Sequence, residues 1–364
     1  MYYAVAGYAK HGELARVYGV NTGVGHFFYG PLSLVFFGWM PLLSYSAVKI
    51  IWVILNTIAY GIFWWGLYHL YPFLREKKTT WLWFLVWIVS IKPIHSTFQS
   101  HNVQLILASI FVLCELYSKS KNPICRFFSG WGTTLSGEVK VFPFFFSLYT
   151  FITRSVLVRL GIVVAAFLGF LVPFAFFGFK EGSDMYLSFY QNLHGFHDYA
   201  PLTKDAVTLS LASLIATWFS PLIGMDLSLL VTKIVTVILL ATFFIFVWKK
   251  RKNKNGRYQT HVWALGMAVM ALVNSTTRPD YFIFFVPAFA SLSEFWQKSK
   301  VSNWFVAGTL TALSLIAFIC EWTLGSRDLN HKLELLRLPV VGMIILCITL
   351  LFALHRQDSK KLFR

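Results

Sequence analysis

The stretch SGEVKVFP at residues 136–143 decides how this chain folds, because it places two opposite charges inside an apolar segment. Its flanks, FF at 127–128 and FFF at 144–146, are apolar enough to lie in a lipid bilayer. Each charge costs about 2.5–3.5 kcal/mol at that depth. Pro143 interrupts a helix and frees backbone carbonyls, which a membrane protein tolerates only inside protein or beside a watery cavity. The stretch therefore predicts a broken membrane segment that lines a functional site.

The two charges of this stretch are expected to act separately. Glu138 and Lys140 are two positions apart, and side chains with this spacing do not face each other on a helix. We therefore predict that they point in different directions. The alternative is that Lys140 extends to the membrane interface and Glu138 is its solvated neighbour.

The composition indicates that the chain is a membrane protein. Of 364 residues, 57% are hydrophobic and only 13% are charged, whereas soluble domains are nearer a quarter charged. The net charge of +17 comes from short connectors that follow apolar runs, which is typical of cytoplasmic loops rather than of nucleic-acid binding. We predict an all-α polytopic membrane protein with a single domain over 1–364. Residues 1–30 form an extracytoplasmic or interfacial loop, 31–355 the bundle and 356–364 a cytoplasmic tail.

The lengths of the apolar runs predict about ten to eleven embedded helices, some of them short or broken. The run at 31–44 is short and bounded by prolines, and the run at 81–91 is expected to end at Lys92-Pro93, before a polar connector at 94–102. The remaining runs are 48–71, 103–117, 127–151, 156–179, 207–219, 227–248, 261–273, 281–295, 304–322 and 338–354.

The basic connectors predict which loops share a side of the membrane. The loops at 249–257 and 298–300 and the C-terminus are rich in lysine and arginine, which indicates the cytoplasmic side. The polar stretches 180–205, 274–280 and 325–332 then face the extracytoplasmic side. We expect any site for a polar head group on that side.

Cations at the ends of apolar segments are candidates for binding a phosphate near lipid. Lys92 and Arg278 each precede a proline, as Lys140 does at a distance of three residues. The alternative for each cation is an interfacial anchor. Four histidines are interpreted as polar loop residues because none has a ligand spacing: His95, His101, His194 and His197. The four cysteines show no paired spacing, so the sequence predicts no disulfide, metal or cofactor.

The order of several motifs points to a family. The motifs are YYAVAGYA at 2–9 with Val17-Tyr18, FYGP at 28–31 with Met40-Pro41, SHNVQL at 100–105, the segment 128–143 with Lys140 and Pro143, and the segment 275–287. Together they resemble glycosyltransferase family 87.

The resemblance implies a membrane glycosyltransferase of the GT-C fold. Such an enzyme moves a sugar, typically mannose, from a polyprenyl phosphate to a lipid-linked or cell-envelope glycan with inversion, on the extracytoplasmic face of a cell membrane such as the bacterial inner membrane. A carboxylate usually acts as base, no metal is obligatory, and no nucleic acid is expected as a partner. The candidates are Asp280 and Glu138 for catalysis, Lys140, Arg278 and Lys92 for the donor phosphate, and Tyr3, His26, Tyr29, His101 and Asn102 for substrate binding.

The sequence departs from the family pattern in three ways. The family usually has a first transmembrane helix and an aspartate before the Tyr-Tyr pair, whereas this sequence starts at Met1-Tyr2-Tyr3. We expect either a start assigned too late or a truncated or degenerate copy. Asp280 replaces a common histidine, as a substitute carboxylate or as a partner of Arg278. His101 stands where glutamine is frequent.

Two other functions remain open at this point. A transporter or flippase of lipid-linked glycans would also need broken helices and buried charges, although it usually shows an inverted repeat that is not visible here. A non-catalytic homologue would keep the fold without the base.

Overall fold

The computed structural model describes residues 2–11, 17–18, 29–76, 80–140, 144–199, 208–253, 255–274, 277–298, 303–318 and 324–362. Over these ranges the chain is helical, and its β-structure is limited to an isolated bridge between Tyr29 and Lys140. The predicted all-α polytopic fold is confirmed.

Sixteen α-helices occur in the described ranges. They are α1 (Tyr2–Lys10), α2 (Leu32–Phe37), α3 (Tyr45–Leu70), α4 (Thr80–Ser100), α5 (Gln104–Ser118), α6 (Pro123–Val139), α7 (Phe144–Thr153), α8 (Val156–Phe177), α9 (Phe179–Tyr199), α10 (Leu211–Ile223), α11 (Met225–Lys250), α12 (Gly256–Val273), α13 (Val286–Lys298), α14 (Asn303–Leu313), α15 (Arg327–Leu335) and α16 (Leu338–Leu362). Short 3₁₀ helices lie at Met40–Leu42, Pro72–Arg75 and Pro279–Phe285, and a π-helical turn lies at Ser314–Phe318.

Four of the described helices are long and apolar enough to cross a membrane, namely α3, α8, α11 and most of α16. Five shorter apolar helices accompany them, over Leu32–Leu42, Gln104–Ser118, Phe144–Thr153, Leu211–Ile223 and Val306–Ala317. Many of the apolar side chains on the long helices are exposed, as expected for helices whose outer faces meet lipid rather than water. The helices therefore indicate a membrane protein.

The chain divides into two compact units, of which the first comprises Met1–Gly61 and Leu113–Ala200. Its centre is the packing of α6 against α8, where glycine on each helix permits close approach. A Cβ at Gly130 would overlap the Val158 carbonyl, and one at Gly161 would overlap the Phe127 carbonyl. Small residues drive helix association in membranes in this way, because lipid supplies no hydrophobic force between helices.

The second unit comprises Ile62–Val112 and Pro201–Arg364. Its core contains the 3₁₀ helix Pro279–Phe285, in which the residues from Phe282 to Phe285 are fully buried. The helix α4 packs against this segment, and α12 and α13 pack against α16. The segment that carries Asp280 is therefore held inside the unit.

The helix α4 does not end at Lys92-Pro93 as predicted, but continues through Pro93 to Ser100. Proline is tolerated in membrane helices where neighbouring groups satisfy the freed backbone, and Thr97 Oγ1 donates a hydrogen bond to the Pro93 carbonyl (2.8 Å). The predicted connector at 94–102 is therefore wrong over most of its length, and Lys92 lies within a helix.

The polar stretch after residue 179 was also expected to be a loop, whereas residues 179–199 form α9. An amphipathic helix needs only one apolar face, so the low average hydrophobicity of residues 179–199 did not indicate a helix. Met185 is buried, and the Tyr186 ring packs on Phe170 and Phe174 of α8. The prediction of loop histidines is accordingly wrong for His95, His194 and His197, whose backbones are helical.

Candidate functional site

Two of the predicted site residues, Tyr29 and Lys140, are in contact within the first unit. Their backbones form an antiparallel bridge, and the Gly30 amide donates to the Val139 carbonyl (3.1 Å). Lys140 Nζ donates a hydrogen bond to the Tyr29 hydroxyl (3.2 Å) and lies 4.7 Å from the centre of its ring. Only 6% of Lys140 is exposed. A cation over an aromatic face is attracted by the ring quadrupole, so Tyr29 fixes the direction of the lysine.

The predicted helix break positions this lysine. The helix α6 begins at Pro123, where the Asn122 side chain accepts from the Ile124 amide, and it ends at Val139. Lys140 has an extended backbone, and the next helix begins at Phe144, whereas Pro143 lies outside the described residues. A Cβ at Gly30 would overlap the Glu138 carbonyl, so the bridge requires glycine there.

Glu138 points to different neighbours, as predicted from its spacing to Lys140. Its side chain lies against Gly169 of α8, where a Cβ would be 2.9 Å from Glu138 Cγ, and Tyr186 of α9 is a further neighbour. The carboxylate is half-buried, and the described residues provide it with neither a hydrogen bond nor an ion pair. Glu138 therefore retains lone pairs that a substrate proton could use.

Two further predicted site residues, Asn102 and Asp280, are in contact within the second unit. Asn102 Nδ2 donates to Asp280 Oδ2 (2.5 Å), and Asn102 Oδ1 accepts from the Val103 amide (2.8 Å). Asp280 is 1% exposed. A buried carboxylate is costly without such donors, so Asn102 is one of the groups that stabilise it in place.

The backbone at the end of α4 determines where Asn102 lies. His101 adopts a left-handed backbone conformation (φ +52°), and the Asn102 amide donates to the Thr97 carbonyl (3.2 Å). This is the Schellman pattern of a helix C-terminus, in which the left-handed position is usually glycine. The backbone of His101 thus contributes to the site by turning the chain toward Asp280.

Lys92 has an acidic partner that sequence reasoning missed. Lys92 Nζ contacts Glu334 Oε1 at 2.9 Å, and it lies 5.6 Å from the centre of the Phe282 ring. Both side chains of the ion pair are largely buried. The only signal for Glu334 in the sequence is its position just beyond the polar stretch 325–332, which does not identify it.

The remaining predicted residues are more dispersed. Arg278 is exposed and precedes the 3₁₀ helix that carries Asp280. The Tyr3 hydroxyl donates to the Leu43 carbonyl (3.2 Å), and its ring packs on Tyr45. His26 lies outside the described residues.

Gln104 is a further polar residue of the second unit that was not selected from the sequence. It is fully buried at the start of α5, two positions after Asn102, and neither atom of its amide has a hydrogen-bond partner in the described structure. Buried polar groups are normally paired, so an unpaired amide here is a feature that a ligand or water would satisfy.

The candidate charges of the two units are of the kinds that a group transfer uses. Each unit presents a cation and a carboxylate, Lys140 with Glu138 in the first and Arg278 with Asp280 in the second. Cations stabilise a departing phosphate, and a carboxylate can accept a proton from an attacking hydroxyl.

The comparisons with known proteins identify the family. A family model of glycosyltransferase family 87 matches residues 27–275, a stretch that contains Tyr29, Lys92, Asn102 and Lys140 and ends before Arg278. No curated protein and no solved structure shows significant similarity to the chain. Because the matched stretch covers well over half of a helical membrane chain whose predicted site residues pair with one another, the protein belongs to glycosyltransferase family 87.

Proposed function

We propose that this membrane glycosyltransferase is of the GT-C type and moves a hexose, mannose in the first instance, from a polyprenyl phosphate to a lipid-linked or cell-envelope glycan, on the extracytoplasmic face. The observation that carries the proposal is the buried Lys140, which Tyr29 holds at a helix break two residues after Glu138. Ionisable side chains within membrane segments are rare and commonly mark a substrate or ion pathway.

The reaction is an inverting displacement. The acceptor hydroxyl attacks the anomeric carbon from the face opposite the phosphate, and a carboxylate takes its proton as the bond forms. The bond from the anomeric carbon to the phosphate oxygen breaks, and its electron pair leaves with the polyprenyl phosphate. Lys140 interacts with the negative charge that develops on that oxygen.

The two carboxylates suit different roles. Glu138 has no hydrogen-bond partner among the described residues, so its lone pairs are available to a proton, and we assign it as the base. Asp280 is buried and hydrogen-bonded to Asn102, which suits a carboxylate that orients neighbouring groups such as Arg278. Lys92 contributes to phosphate binding only if it shares or exchanges its ion pair with Glu334.

The test measures transfer from radiolabelled polyprenyl-phosphate mannose and polyprenyl-phosphate glucose by the full-length protein in membranes. Lys140→Ala should lower kcat/KM by about 10²–10³-fold, as the loss of one charge-stabilising donor does. Arg278→Ala should lower it as well. Lys233→Ala is the matched control, because Lys233 is an exposed lysine of α11 outside both groups. If Lys140→Ala and Arg278→Ala both retain full activity, the assignment is wrong.

The same assay separates the enzyme from a transporter. A flippase would move the labelled lipid across the bilayer without changing it, whereas a transferase produces a new glycoside and releases polyprenyl phosphate. Unchanged donor after incubation with a crude glycan acceptor fraction would contradict the proposal.

A further inference from the structure

Arg337 lies between α15 and α16 and is fully buried, with 0% of its surface exposed. Its Nη1 donates a hydrogen bond to the Thr208 carbonyl (2.7 Å), and its Nε donates one to Thr217 Oγ1 (3.2 Å). Arginine is almost never fully buried unless its donors are satisfied, because removing a charge from water is costly. The guanidinium is therefore a fixed donor inside the second unit.

The backbone of Arg337 is also strained. Its φ of +60° lies in the left-handed region, which residues other than glycine, asparagine and aspartate adopt only where the surrounding structure imposes it. Its amide donates to the Glu334 carbonyl (2.9 Å), and its own carbonyl accepts from the Val340 amide (3.0 Å). A turn of this kind would be more stable with glycine. The presence of arginine therefore points to a role for the side chain.

Through Thr208 the guanidinium reaches the segment that carries the predicted charges. The Leu209 amide, next to Thr208, donates to the Thr277 carbonyl (2.6 Å). Thr277 is buried and directly precedes Arg278, whose carbonyl accepts from the Tyr281 amide (2.9 Å). Arg337 thus holds residues 208–209 against the turn that places Arg278 and Asp280.

The backbone of Arg337 reaches the other predicted cation. Glu334, which accepts from the Arg337 amide, pairs through its carboxylate with Lys92 of α4. Arg337 therefore connects to both predicted cations of the second unit, to Arg278 through its side chain and to Lys92 through its main chain.

We propose that Arg337 is a positioning residue, which sets the placement of Arg278 and Asp280 for sugar transfer through Thr208 and Leu209. This inference rests on the proposed function for its effect on catalysis, although the mechanical link can be measured by itself. Lysine at this position keeps the charge but carries all its donors on one nitrogen, so it cannot reproduce the fixed geometry in which Nε and Nη1 of arginine bind Thr217 and Thr208.

The experiment uses the full-length protein in lipid nanodiscs and compares Arg337→Lys with Arg75→Lys. Arg75 is the matched control, since its Nε also donates to a carbonyl, that of Tyr68 (3.2 Å), but it is exposed. We expect Arg337→Lys to lower kcat by about 10²-fold and to change the donor KM by less than about threefold, because a misplacement of about 1 Å has effects of this size on the chemical step. Hydrogen exchange should rise in peptides covering 208–210 and 277–285. Arg75→Lys should change neither.

A second variant keeps the test decisive if Arg337→Lys does not fold. Thr217→Val removes the acceptor for Nε and preserves the shape of the side chain, and it should lower kcat several-fold and raise exchange at 277–285. If the folded variants show unchanged kcat, or unchanged exchange at 277–285, the inference is overturned. If the unmodified protein transfers no sugar from any polyprenyl phosphate, the proposed function fails, and the exchange data alone decide whether Arg337 positions the segment.

Discussion

Asn102 and Asp280 show how a single contact stabilises a buried charge between residues 178 positions apart in the chain. A hydrogen bond to a charged group contributes about 1.5–3 kcal/mol to stability. We expect Asn102→Ala to destabilise the protein by this amount, about 1.5–3 kcal/mol, because Asn102 is one of the groups that bind the Asp280 carboxylate. Thermal unfolding in detergent measures the change.

A double-mutant cycle separates this contact from the loss of packing. In the Asp280→Asn background, the removal of Asn102 should cost less, since a neutral amide is easier to leave buried than a carboxylate. Equal costs in the two backgrounds would show that Asn102 does not stabilise the charge of Asp280.

His101 supports a second prediction, because its left-handed backbone favours glycine. That conformation costs about 1–2 kcal/mol for a residue with a Cβ, and more for a β-branched side chain. His101→Gly should therefore unfold at a higher temperature than His101→Val, with the unmodified protein between them. If His101→Gly lowers stability as much as His101→Val does, the imidazole contributes more than the turn. Comparing the donor KM of His101→Gly with that of the unmodified protein then tests the predicted role of the His101 side chain in substrate binding.

At the scale of the helices, the close crossing of α6 and α8 depends on glycine. Gly161→Ala should destabilise the first unit, because its Cβ would overlap the Phe127 carbonyl and force the helices apart. Overpacking of this kind costs about 1–3 kcal/mol. Gly61→Ala is the control, since a Cβ there meets no atom within 4 Å, and it should be neutral or stabilising by about 0.5–1 kcal/mol.

The measurement is the midpoint of thermal unfolding of the two variants in the same detergent. Because Lys140 follows the end of α6, Gly161→Ala should also lower the transfer rate, whereas Gly61→Ala should not. Unfolding midpoints that move together in the two variants would contradict the packing argument.

The helices also show what sequence could and could not predict. Apolar run lengths predicted the long helices well, because a bilayer fixes the length of a span: the runs at 48–71 and 156–179 match α3 and α8 within a few residues. The run at 81–91 was ended too early, because the rule that proline stops a helix is weaker in membranes. The helix α9 was missed, because outside the bilayer a helix needs only one apolar face.

The candidate site was predicted as residue types but not as pairs. Lys92 and Lys140 could be predicted as site residues because charge is costly in an apolar segment. Their partners could not be predicted, because they lie far away in the sequence. Tyr29 lies 111 positions from Lys140, and Glu334 lies 242 positions from Lys92. Periodicity within one segment carries no information about which segment lies beside it.

For the whole molecule, the distribution of charge predicts orientation in the membrane. The connector after α11 contains lysine or arginine at six of the nine positions from 249 to 257. The polar segment 179–199 contains three acidic residues and one lysine, and 325–332 contains one aspartate and two basic residues. Positive charge is retained on the cytoplasmic side during insertion, so these two groups of segments should lie on opposite sides of the membrane. A transferase that uses a polyprenyl donor on the outer face requires this orientation.

Single cysteines in a cysteine-free background test the orientation directly. Lys252→Cys, after α11, should react with a membrane-impermeant maleimide only after the cells are permeabilised. Asp184→Cys in α9 and Asp328→Cys in α15 should react in intact cells, and all three positions are exposed, so differences in labelling report the side rather than burial. The transfer activity of each variant provides the control for native folding. Labelling of Lys252→Cys in intact cells would show that the basic connector lies outside the cell. Arg278 and Asp280 would then lie on the cytoplasmic face, and a nucleotide sugar would be the donor to test.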